Sequence, residues 1–113
     1  MPAIRPDRLK VHPYVEASHA ELRRLAAEGR KRESSIWRSL VRAVERISVD
    51  AQWGEVIRPV PRYFAERYEA ENLYCVDLAS FHRVFYTMDH REVILLDIVD
   101  HRTYDKWFPG RGR

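Results

Sequence analysis

The chain is poor in cysteine and glycine and has no long apolar run, and each shortage excludes a class of protein. Its one cysteine, Cys75, rules out an internal disulfide and a cysteine-based zinc cluster. Gly29, Gly54, Gly110 and Gly112 stand too far apart to form a phosphate-cradling loop. No stretch approaches the roughly 20 apolar residues needed to cross a bilayer. The opening MPAIRPDRLK is charged and broken by proline where a signal peptide has an apolar core. A cytoplasmic protein without a membrane contact is therefore expected. The histidines at 12, 19, 82, 90 and 101 include no i, i+4 pair, and so neither a metal site nor a cofactor is expected. Ser34-Ser35 has no nucleophile-elbow context and reads as a helix start.

What is present is enough for one globular core. Apolar residues form 45% and charged residues 33% of 113, which suits a single domain over residues 1–113. The net charge of +3 is unevenly spread, with 11 basic against 7 acidic side chains in residues 1–50. That half would tolerate an acidic partner or nucleic acid.

Arg8 to His12 is a candidate first strand, ended by Pro13. Val15, Leu22, Leu25 and Ala26 recur at helical spacing and predict a helix from Tyr14 to about Gly29. A second helix starts near Ser34, with Ile36, Trp37, Leu40, Val41, Val44 and Ile47 in one stripe and Arg38, Arg42, Glu45 and Arg46 outside it. The two form a helical hairpin. Residues 52–61 carry Gly54, Pro59 and Pro61 and read as a loop, and Arg62 to Glu69 as one or two helical turns. The tail Pro109-Gly110-Arg111-Gly112-Arg113 looks frayed.

Residues 72–99 read as a three-stranded antiparallel meander: Leu73–Leu78, His82–Met88 and Val93–Val99. A three-residue turn at Ala79-Ser80-Phe81 sets Asp77 opposite Arg83, Val76 opposite Val84 and Tyr74 opposite Tyr86. A second three-residue turn at Asp89-His90-Arg91 sets Tyr86 opposite Ile94, Val84 opposite Leu96 and Arg83 opposite Asp97. Tyr74, Val76, Leu78, Val84, Tyr86, Ile94, Leu96 and Ile98 then share a core face. Cys75, Asp77, Arg83, Phe85, Thr87, Leu95 and Asp97 share an open one. The expected class is α+β, an N-terminal helical hairpin on a C-terminal meander with a short final helix, whose start Asp100 would cap over Thr103.

This element order, with QWGEVIRP, ENLYCVDLASFHRVFYTMD and VILLDIVDHRTYDKWF, resembles the RelE/ParE toxin superfamily over most of residues 8–108. The resemblance implies the toxin component of a type II toxin–antitoxin system. The RelE type is a metal-independent messenger-RNA endoribonuclease working at the ribosome, and the ParE type inhibits DNA gyrase. A cognate antitoxin protein is the implied partner, and a homodimer is open. Arg83 matches the arginine that holds the scissile phosphate, and His101 and Arg102 match the basic pair after the last strand. Tyr104 or Trp107 lies near the C-terminal catalytic tyrosine. By this reading His101 and Tyr104 exchange protons, while Arg83, Arg102 and Lys106 bind RNA. Cys75 and Asp77 stand where RelE has lysines, so the alternative is a non-catalytic binding protein.

Overall fold

In a computed structural model that describes residues 3–108, the chain is an α+β fold. The described residues form five strands and four α-helices. Strand β1 (Arg8–Val11) leads through a 3-10 turn (Pro13–Val15) into helices α1 (Glu16–Ala27) and α2 (Lys31–Val49). After β2 (Glu55–Val56) and α3 (Arg62–Tyr68) come β3 (Tyr74–Leu78), β4 (His82–Asp89), β5 (Glu92–Asp100) and α4 (His101–Trp107). The strand order is β1-β5-β4-β3-β2, with β1 parallel to β5 and the other pairs antiparallel. The sheet is thus mixed and wider than the expected meander. The tail from Pro109 onward lies outside the described residues.

Local chemistry explains the joints. Pro13 opens the 3-10 turn, where the missing N–H is harmless, and His12 Nδ1 accepts the Tyr14 N–H at 3.1 Å. Gly29 takes φ +86° between the two helices. On α2 the stripe buries Ile36, Leu40, Ala43 and Ile47, while Val41 stays 42% exposed. Arg38, Arg42, Glu45 and Arg46 face solvent as expected. The stripe packs on Tyr74, Val76, Val84, Tyr86 and Leu95 of the sheet. At the loop before β2, the Tyr86 hydroxyl donates to Ala51 O at 2.8 Å and accepts the Gly54 N–H at 2.9 Å. A Cβ at Gly54 would stand 2.9 Å from that ring, so only glycine fits.

The first hairpin has the expected register: Asp77 faces Arg83, Val76 faces Val84 and Tyr74 faces Tyr86. The second does not. Asp89 pairs with Glu92, so the turn has two residues, and His90 takes φ +59°. Tyr86 then faces Leu95, Val84 faces Ile98 and Arg83 faces Val99, not Asp97. Between these pairs β5 spends Leu96 and Asp97 against the single Phe85, which is a β-bulge. The short turn sends Val93 and Leu95 toward the helical hairpin, and the bulge returns Ile98 to that side.

The second sheet face is not open. Helices α3 and α4 cover it, burying Cys75, Phe85, Leu96 and Val99 against Phe64, Tyr104 and Phe108. With apolar cover on both sides, a one-residue shift in β5 exposes nothing, and this permits the shorter turn.

Candidate functional site

Arg83 sits on β4 near the end where β5 runs into α4. Its Nε donates to Asp77 Oδ1 at 2.9 Å across the β3–β4 pair. Its guanidinium lies over the Tyr104 ring, 4.0 Å from the centroid. The Arg83 side chain is 26% exposed and that of Asp77 82%, so the ion pair is wet and worth about 0.2–1 kcal/mol. One carboxylate, not two, flanks this arginine.

Helix α4 begins where Asp100 Oδ1 accepts the Thr103 N–H at 3.0 Å, the expected cap. That bond holds the Asp100 carboxyl below its ordinary range. The cap sets His101 at the first helical position, exposed to solvent, with its ring 5.8 Å from that of Phe81. His101, Phe81, His82, Arg83 and Asp77 line one depression of about 340 Å³. Arg83 and His101 thus meet at one place. Arg102 and Lys106 are both exposed and, four residues apart, share a side of α4 outside this depression.

Tyr104 is elsewhere in role. It is 4% exposed, stacked on Phe108 at 4.5 Å and on Phe85 at 6.2 Å, so its ring belongs to the core. Trp107, the other candidate at that end, is half-buried and stacks on Tyr63 at 4.3 Å.

Asp97 belongs to a cluster that sequence reasoning missed. The bulge turns its carboxylate to α3, where it accepts the Tyr68 hydroxyl at 2.7 Å and the Tyr63 hydroxyl at 3.1 Å. Burial, then Asp97, pushes both phenols up. Arg67 stacks over Tyr14 and Tyr68, and His12 packs edge-on to Tyr68. On the other face, His19 of α1 is buried and its Nε2 donates to the Leu96 carbonyl at 2.8 Å. Neither arrangement has a local motif; the signal, legible only with the bulge known, is Asp97 set within the otherwise apolar run from Val93 to Val99.

Among the described residues no group of three or more His, Cys, Asp or Glu side chains is placed to hold a metal ion. No helix among them is long and apolar enough to cross a membrane. Compared with protein families, with curated proteins and with solved structures, the chain matches none.

Proposed function

We propose that this chain is a toxin of the RelE/ParE kind, a metal-independent endoribonuclease that acts on messenger RNA and is restrained by a cognate antitoxin protein. The observation that supports this most is the convergence of Arg83 and His101 on one solvent-open depression. Cutting RNA through its own 2′-hydroxyl needs a cation on the phosphorane charge, a base that takes the 2′-hydroxyl proton and an acid that protonates the departing 5′-oxygen. Arg83 supplies the cation, exposed His101 takes the proton, and solvent water protonates the 5′-oxygen as it leaves. Arg102 and Lys106 draw in the flanking backbone. Tyr104, closed into the core, moves no proton in this reading. The test is cleavage of RNA by the purified chain in the presence of a chelator, with and without ribosomes. A 2′,3′-cyclic phosphate product is expected, with a rate loss of about 10²–10⁴-fold in His101→Ala and a comparable one in Arg83→Ala. No cleavage under either condition removes the ribonuclease.

A second reading is a binding protein without catalysis, such as a gyrase inhibitor. What favours it is the state of Arg83, whose guanidinium already has Asp77 at 2.9 Å and the Tyr104 ring at 4.0 Å. Growth arrest on expression that survives His101→Ala would select this reading.

A further inference from the structure

We propose that Phe81 is a stacking platform for an unpaired nucleobase, whose adjoining phosphate meets Arg83 and His101; the inference rests on the RNA reading above. The turn that joins β3 to β4 puts both Ser80 and Phe81 at φ +58°, with the His82 N–H donating to Ala79 O at 3.3 Å. This is a primed turn, the kind that asparagine and glycine make with least strain. A bulky aromatic residue in the left-handed region is an outlier that a fold does not select for its own sake.

Burial does not repay that strain. Phe81 is 79% exposed, more than Tyr14 at 62% or Val49 at 53%, the next most exposed large apolar side chains described. Among the described residues its one ring contact is the edge-on approach of His101, at 65° and 5.8 Å, which leaves ring surface open to solvent. It lines the same depression as Arg83, His82 and His101. The Asp77 carboxylate also lines it and is held by Arg83. An open apolar ring beside cationic or protonatable side chains matches a flat aromatic group joined to an anion. A nucleotide in single-stranded RNA has both parts, and base–aromatic stacking tolerates any sequence.

The test uses the full chain and a labelled single-stranded decamer carrying 2′-O-methyl groups, which blocks cleavage through the 2′-hydroxyl. A matched decamer lacking its bases is the control, and binding is read by fluorescence anisotropy. Wild type should prefer the base-bearing strand by about 10- to 100-fold. Phe81→Leu should lose that preference while binding the abasic strand unchanged, and Phe81→Trp should keep it. Phe81→Gly should lose it too, yet melt a few degrees higher because glycine suits the turn. If Phe81→Leu binds like wild type while Arg83→Ala binds more weakly, stacking is wrong and the RNA reading stands. A lower melting temperature in Phe81→Gly would show that the ring serves the fold, which also overturns the proposal. If wild type binds neither strand, the stacking proposal falls, and cleavage with ribosomes present decides the RNA reading.

Discussion

Arg83 lies between Asp77 and the face of Tyr104, and the two contacts differ in kind. The carboxylate is in water and exchanges easily; the ring is fixed by its stack on Phe85 and Phe108. Tyr104 therefore acts through its ring. Tyr104→Phe should leave RNA cleavage and stability nearly unchanged. Tyr104→Ala should cost about 3–5 kcal/mol in urea unfolding, as other large aromatic truncations do. A Tyr104→Phe variant that folds but has lost cleavage would show that the hydroxyl reaches substrate after all. His19 gives a second prediction. Burial lowers its pKa, while the bond to the Leu96 carbonyl and the charge of Asp97 oppose that shift only in part. Unfolded histidine titrates near about 6.5. Above that pH both states are neutral and the His19 contribution is complete. Below it the unfolded chain takes up the proton first, so stability falls as pH drops toward the folded value. His12 is lowered as well, first by burial and then by Arg67 and Lys10, and acts in the same direction. The melting temperature should fall between pH 7.5 and 5.5, and by less in His19→Gln. An equal fall in both proteins would mean that His19 titrates normally in the fold.

At the scale of elements, β5 is the strand that organises the molecule. It pairs with β4 on one side and β1 on the other, and its bulge directs Asp97 to α3. Two phenol hydrogen bonds to a half-buried carboxylate outweigh one exposed ion pair. Asp97→Ala should accordingly cost about 2 kcal/mol or more, and Asp77→Ala less than about 1 kcal/mol, both read from urea midpoints at constant slope. Equal costs would show that the Asp97 cluster contributes nothing beyond a surface contact. The same strand shows where legibility ended. The β3–β4 register was readable because Asp77 and Arg83 are complementary and a three-residue turn sets Tyr74 against Tyr86 and Val76 against Val84 on one face. In Val93-Ile94-Leu95-Leu96 every residue is apolar, so period two has no polar side to anchor it. Only the cover supplied by α3 and α4 explains that run, and their few apolar residues, such as Phe64 and Tyr104, carry no clear period. The helical hairpin was legible from its stripe and Gly29. For the candidate site, Arg83 and His101 were found through the resemblance, and the depression brings them together. The burial of Tyr104 is a packing outcome that spacing does not encode.

Taken whole, the molecule is one sheet between two cores, the helical hairpin on one side and the shorter α3 and α4 on the other. The question is whether the thinner layer opens alone. Cys75 answers it, because its side chain lies in the second core at 5% exposure, beneath that layer. Phe64 is fully buried in that core and packs its ring 4.7 Å from Phe85, which lies opposite Cys75 on β4. Such contacts tie α3 to the central strands, and Tyr104 and Phe108 do the same for α4. Cooperative opening with the whole fold is expected. When closing is fast, labelling of the thiol by an aromatic disulfide follows the population of the open state. The logarithm of the rate should therefore rise with urea along the slope measured for global unfolding. Phe64→Ala, at a cost of about 3 kcal/mol or more, should speed labelling by roughly 10²-fold, since about 1.4 kcal/mol corresponds to tenfold. Labelling that ignores low urea, with a large response to Phe64→Ala but none to Leu40→Ala on the hairpin side, would show instead that α3 and α4 lift off as a unit.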